Sequence, residues 1–103
     1  MRAQISAADE IIVVAPCDHP LARKKKVTLD ELSREPWIIR EEGSGTRIAV
    51  EKALRRKGKS LTQFNVVMEM GSTSSVKEGV KARLGLAFLS GRATEEEVRQ
   101  ASL

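Results

Sequence analysis

Four short apolar runs limit what this chain can become. "EIIVVAP" (residues 10–16), "PWIIRE" (36–41), "FNVVMEM" (64–70) and "GLAFLS" (85–90) are each of strand length and rich in β-branched or aromatic residues. The first is continuous and ends at Pro16, the mark of a strand covered on both faces. The second is entered through Pro36, which suits a position where the ladder needs no donor. The third alternates in part, and Met68 and Met70 read as ordinary strand packing around Glu69.

Helix patterns lie between and after these runs. Thr28 stands three residues before Glu31 in "TLDEL", a capping box that opens a short helical turn carrying Leu29 and Leu32. From Thr46 to Lys57, the residues Ala49, Val50, Ala53 and Leu54 recur at helical spacing, Glu51 can pair with Arg55, and Gly58 is placed to end the helix. "GSTSSVKEGVKARL" offers several hydroxyl caps ahead of Val76, Val80 and Leu84, so a helix is expected from near Thr73. Thr94 and Glu97 form another capping box and predict a short terminal helix. Strands alternating with helices imply an α/β sheet with helices packed on its faces.

A length of 103 residues suits one core, and 41% apolar with 31% charged residues is the balance of a globular chain that folds. No run approaches the length of a membrane span, and "MRAQISAADEIIVV" carries acidic residues where a secretory signal needs its apolar segment, so a cytoplasmic location is expected. The single Cys17 permits no internal disulfide, and with a single histidine, His19, it cannot close a structural zinc site. The net charge of +4 gathers in "RKKK" (Arg23 to Lys26), within a loop, and in "RRKGK" (Arg55 to Lys59), at a helix end where cations offset the helix dipole. Three aromatics and no helix-turn-helix or zinc pattern leave no base-reading element, so direct DNA binding by this chain is not expected.

Candidate chemistry is sparse. "CDHP" sets Cys17, Asp18 and His19 side by side, but adjacent residues seldom aim at one another, and a turn role for His19 before Pro20 is the simpler reading. No catalytic residue is assigned. "EEGSGTR" (41–47) lacks the phosphate-loop spacing and its lysine, and Glu41 and Glu42 would repel a polyphosphate. Two readings of it stand. Ser44 or Thr46 caps the following helix while Gly43 and Gly45 supply the turn; or the free amides at Gly45, Thr46 and Arg47, with the nearby hydroxyls and the Arg47 charge, receive a small anion such as a carboxylate. "GSTSS" (71–75) repeats the arrangement at Thr73 and Ser74, with more hydroxyls than one cap requires. Both fall on loops leaving the C-terminal ends of strands, the ligand face of such sheets.

Taken in order, "DEIIVVAPCDHPLA", "LSREPWIIREEGSGTR" and "FNVVMEMGSTSSVKEGVKARLGLAFLS" resemble the effector-binding (substrate-binding) region of LysR-type transcriptional regulators over about residues 9 to 98. The departure is Arg83, where a glycine is usual, which is expected to stiffen the turn before Gly85. The resemblance implies a single three-layer Rossmann-like subdomain of the type 2 periplasmic-binding-protein fold, with a mixed sheet and helices on both faces. It matches the second of the family's two effector-binding subdomains, at residues 9–93, with 1–8 as flanking residues and 94–103 as a C-terminal helix leading back toward a first subdomain. Crossover strands are then expected near Asp9 and near Ser90 to Ala93.

By the same resemblance, Ser44, Gly45, Thr46, Arg47, Ser72 and Thr73 line the wall of an effector cleft. The implied function is non-enzymatic: a ligand-sensing half-cleft for a small, anionic effector, with no cofactor and no metal. The implied partners are that effector, DNA only through an N-terminal domain outside this stretch, no membrane, and a second copy of the parent chain. Asn65 to Met70 and Thr46 to Lys57 correspond to the family's pairing surface, so this stretch is itself expected to dimerise. The alternative is half of a solute-binding protein, or of an enzyme built on the same fold.

Overall fold

The computed structural model describes residues 2–6, 11–16, 18–24 and 27–90. They form strands β1 (Arg2–Ser6), β2 (Ile11–Val14), β3 (Pro36–Arg40), β4 (Asn65–Met70) and β5 (Leu86–Ser90), and helices α1 (Leu29–Ser33), α2 (Gly45–Arg56) and α3 (Thr73–Lys81). The strands make one mixed sheet in the order β1-β2-β5-β3-β4. β3 runs parallel to β4 and β5, while β2 is antiparallel to both β1 and β5.

The expected strands and the first three helices are present, within a residue or two of their expected ends, except that α3 stops at Lys81 and leaves Leu84, expected on its apolar face, outside the helix and 45% exposed. β1 is an addition, in residues the sequence reading counts as flanking. "RAQIS" has no apolar run, and it is a strand because it pairs along β2, from Arg2 opposite Val14 to Ser6 opposite Ile11. That pairing makes β2 an internal strand, and Ile11 to Val14 are all at most 3% exposed. The helix expected from Thr94 lies outside the described residues, as does Cys17.

Alternation along the strands divides the core in two. Ile11, Val13, Trp37, Leu86 and Phe88 point to one face, where they meet Leu32 of α1 and Val50, Ala53 and Leu54 of α2. Ile12, Val14, Ile38, Ala87 and Leu89 point to the other, against Val76 and Val80 of α3. Met68 and Met70 pack against this second cluster, as ordinary strand residues. Each large apolar side chain so buried contributes about 1.5–3 kcal/mol. Helices on both faces follow from the connections: β3 passes outward to β4 through α2, and β4 returns past β3 to β5 through α3. Crossovers of one hand travelling in opposite directions must lie on opposite faces.

The ends of the elements follow the local chemistry. Thr28 and Glu31 close the expected capping box on α1. Lys24 ion-pairs with Glu31 and Lys59 with Asp30 at 3.6 Å, so cations from both basic clusters tether this short helix. Glu51 lies 3.9 Å from Arg47, one turn before it, rather than beside Arg55. β4 is an edge strand, and it carries a register shift against β3 between Trp37 and Ile38 that leaves Val67 without an opposite residue.

The turn before β5 is strained at one residue and crowded at another. Arg83 sits at φ 65°, a region that suits glycine, while its guanidinium makes a two-pronged pair with Asp18 at 2.5 and 2.7 Å. Gly85 lies so close to β3 that a Cβ would stand 2.9 Å from the Pro36 carbonyl oxygen. Exposed pairs contribute little, about 0–1 kcal/mol, and left-handed strain costs about 1–2 kcal/mol. Arg83→Gly is therefore expected to leave stability unchanged or raise it, and Gly85→Ala to lower it by about 1–3 kcal/mol. Denaturant unfolding of both variants checks this. A larger loss for Arg83→Gly than for Gly85→Ala would mean that the Asp18 pair, not the backbone, governs the turn.

Candidate functional site

β3 and β4 are parallel neighbours, and α2 and α3 begin just beyond their C-terminal ends. The loops are short. After β3, Gly43 adopts φ 90° and turns the chain, and Ser44 then caps α2: its Oγ accepts the Arg47 amide at 3.0 Å and its carbonyl accepts the Ile48 amide at 3.0 Å. After β4, Ser72 does the same for α3, taking the Ser75 amide at 3.1 Å and donating its hydroxyl to Ser75 Oγ at 2.9 Å.

These caps separate the two readings of "EEGSGTR". The cap is Ser44, not Thr46, and it occupies the Arg47 amide, which the sequence reading counts among the free donors. The amides of Gly45 and Thr46, and those of Thr73 and Ser74, make no hydrogen bond to the described residues. Thr46 Oγ1 likewise has no partner among them. Each helix start thus keeps a pair of donors at the positive end of its dipole.

The nearby charges divide by face. Arg47 lies on the α2 side, where its Nη1 donates to the Arg40 carbonyl at 3.3 Å and to Glu69 at 3.4 Å. Its Nε is buried with no hydrogen-bond acceptor among the described residues, Glu51 being 3.9 Å away. Arg40 is the residue that the sequence reading overlooks. As the last residue of β3 it follows Ile38 in the strand's alternation, so its side chain emerges toward α3. Its Nη1 donates to Thr73 Oγ1 at 2.9 Å and its Nε to Glu41 Oε1 at 2.8 Å. One guanidinium therefore joins the loop before α2 to the first turn of α3. The bond from Arg40, together with Glu41's own amide, holds the Glu41 carboxyl below the usual carboxylate range. The period-2 pattern of "PWIIR" could have signalled Arg40, given which face α3 covers.

Of the expected wall residues, Ser44 and Ser72 serve as caps, Gly45 and Thr73 offer open amides, Thr46 offers an amide and a hydroxyl, and Arg47 has other partners. At the opposite end of the sheet, His19 has the turn role expected of it: it caps the 3-10 turn Pro20–Arg23, Nδ1 accepting the Leu21 amide at 3.1 Å. Nε2 must then carry the ring proton and donate to Glu35 Oε1 at 2.8 Å, a partner the sequence does not reveal. Beside it is a shallow cavity of about 190 Å³, lined by residues that include His19, Glu35, Arg83 and Leu86. Among the described residues no group of acidic, His and Cys side chains could hold a metal, and no helix is long and apolar enough to cross a membrane.

Comparison with known proteins agrees with this architecture. The LysR substrate binding domain family model matches residues 1–103. The HTH-type transcriptional regulator CbbR of Xanthobacter flavus is 44% identical over 93 residues, 89% of this chain and 27% of that protein. The HTH-type transcriptional activator CmpR of a Synechocystis strain is 41% identical over 80 residues, 78% of this chain and 25% of that protein. Among solved structures, the CcmR regulatory domain of Synechocystis PCC6803, in complex with 2-PG, superposes with a TM-score of 0.70 at 34% identity, covering 82% of this chain and 39% of that one. The chain spans about a quarter of the length of these two curated relatives. With a family model matched end to end, close relatives among transcriptional regulators and the same mixed sheet, the chain belongs to the LysR substrate binding domain family.

Proposed function

We propose that this chain is one wall of an effector cleft in a LysR-type regulator, and that it binds a small anion through the starts of α2 and α3. The observation that carries the reading is the pair of helix N-termini with unoccupied amides, at Gly45–Thr46 and Thr73–Ser74, joined by Arg40 beyond the ends of two parallel strands. It is supported by the 2-PG held by the similar CcmR domain. The wall comprises Ser44, Gly45, Thr46, Arg47, Ser72 and Thr73, with the two serines acting through the caps. No step of the reading needs a cofactor, and the role is non-enzymatic and cytoplasmic.

In this reading the effector reports to DNA through a separate helix-turn-helix domain of the parent protein, in keeping with relatives named as HTH-type regulators. Closure on the ligand shifts the balance between two arrangements of the parent, a coupling of about 1–3 kcal/mol in typical cases. The parent is a homo-oligomer. The exposed edge of β4, with Val66 37% and Val67 49% exposed, and Ile48 of α2, 45% exposed, form the pairing surface.

Half a cleft covers only part of its ligand, so affinity on the order of millimolar is expected for simple anions. Sulfate or 2-PG added to the chain should shift the amide NMR signals of Gly45, Thr46, Thr73 and Ser74 before any others. Thr46→Val should weaken the binding at nearly unchanged stability, whereas Ser44→Ala should cost about 1 kcal/mol of stability through the lost cap. Shifts centred on His19 and Arg83, or equal binding by the Thr46 variant, would move the site elsewhere. Sedimentation should show self-association that Val67→Lys abolishes, and a strict monomer at high concentration counts against the pairing surface.

A further inference from the structure

Two arginines stand at the site, and they face different helices: Arg47 lies on the α2 side, while Arg40 reaches the first turn of α3. The Arg47 guanidinium is bonded to the Arg40 carbonyl and to Glu69, with Glu51 nearby, all on the α2 face. Arg40 carries five N–H donors, and protein partners engage its Nε and one hydrogen of Nη1. The rest have no partner among the described residues. With its side chain 18% exposed, the group is largely withdrawn from water, which strengthens whatever charge interaction it makes.

Its two partners differ in kind. Thr73 offers a neutral hydroxyl, whereas Glu41 offers a carboxylate, the same acceptor chemistry as a ligand's carboxylate or phosphate. Glu41 is also free to leave. Its side chain is 43% exposed, while its backbone amide stays fixed on the Met70 carbonyl at 3.1 Å, continuing the β3–β4 ladder. The carboxylate can therefore swing into solvent without moving the strand, a rotamer change of the ordinary fast kind.

We propose that Arg40 takes the anionic group of the effector, and that Glu41 is its resident competitor, holding the guanidinium until a ligand anion displaces it. This rests on the effector-cleft reading above and names the residues that set its selectivity. A monocarboxylate meets Glu41 on equal terms and gains little. A dianion, or a ligand that also reaches the open amides of Gly45–Thr46 and Thr73–Ser74, displaces Glu41 with net gain. The device filters weak anions at a site whose helix dipoles alone would accept them.

The test is an NMR titration of the chain with acetate, sulfate and 2-PG, following the amides of Gly45, Thr46, Thr73 and Ser74 and the Arg40 Nε–H. Wild type should bind sulfate and 2-PG in preference to acetate, with the Arg40 Nε–H moving in step with the amides. Arg40→Met should lose about tenfold or more, as expected for a hydrogen bond to a charged group. Glu41→Gln should tighten acetate several-fold, about 3–10 times, and sulfate less, since it frees one charge-assisted donor. In the Arg40→Met background Glu41→Gln should no longer help. The Glu41 carboxyl should titrate higher in Arg40→Met, toward its ordinary value, because its main hydrogen bond is gone. Arg40→Lys, which keeps the charge and fold but loses the fork, should bind all three anions with a reduced preference for 2-PG. If the amides shift in Arg40→Met as in wild type, the role of Arg40 is overturned while the cleft reading stands. Equal gains from Glu41→Gln with and without Arg40 overturn the competitor role. If no anion shifts those amides in wild type, both fall.

Discussion

All three aromatic rings of the chain meet at one point, and the sheet is organised around it. Trp37 of β3 stacks on Phe88 of β5 with centroids 4.1 Å apart and planes within 10°, and Phe64, just before β4, stands edge-on to both rings at 5.4 and 5.6 Å. The indole N–H, which could not be buried unpaired, donates to the Leu32 carbonyl at the end of α1 at 2.7 Å. One residue thus fixes three neighbours: a parallel partner strand, the start of the edge strand and the short helix beneath. Trp37 is wholly buried, so no smaller side chain could fill its place without a cavity, at about 3–5 kcal/mol for truncation to alanine.

The same contact sets the register that builds the ligand face. With Trp37 turned toward α2, the pleat turns Ile38 toward α3 and brings Arg40 out on the side of α3, where Thr73 receives it. Gly79 follows from this as well: a Cβ there would stand 2.7 Å from Ile38 Cδ1, so α3 lies as low on the sheet as a glycine permits. The helix starts are therefore placed by the core. Their serine caps consume the third amide of each first turn and leave the first two open, so in the proposed cleft stability and ligand reception would draw on different donors of the same turn.

Much of this is legible in the chain itself. β-branched runs identify β2, β3 and β5, the capping box identifies α1, and the apolar spacing with Gly58 identifies α2, whose glycine indeed sits at φ 72° just past the C-cap. Local sequence says less about β1, because "RAQIS" becomes a strand only through its partner β2. Nor could the pattern say which hydroxyl caps α2, since Ser44 and Thr46 both precede helical residues and only backbone geometry, extended at Ser44, decides. Arg40 and Arg47 are seven residues apart and look equally suited to an anion. Their division between two faces depends on which helix covers which side of the sheet, a tertiary fact. Position 83, where the resembled family usually has glycine, is a subtler case: Arg83 itself adopts the left-handed turn and pairs with Asp18, a residue 65 positions away.

The acidic residues around the site then acquire a physical meaning. In the proposed cleft, two helix N-termini with open amides would by themselves be a generic anion trap, and a generic trap in a cell rich in small anions is a poor sensor. Glu41 on the Arg40 guanidinium and Glu69 on that of Arg47 place carboxylates of the chain itself against both cations. Discrimination obtained by making the wrong ligand compete is a common route to specificity, because it lowers all affinities but lowers the weakest ones below use. The position of the carboxylates matters more than their number. Glu69 faces the α2 side and shares the Arg47 Nη1 with a backbone carbonyl. Glu41 is bonded instead to the guanidinium that also reaches Thr73 in the first turn of α3. In the proposed cleft, selectivity would then depend on the bond between Arg40 Nε and Glu41, and on how readily a ligand can replace it.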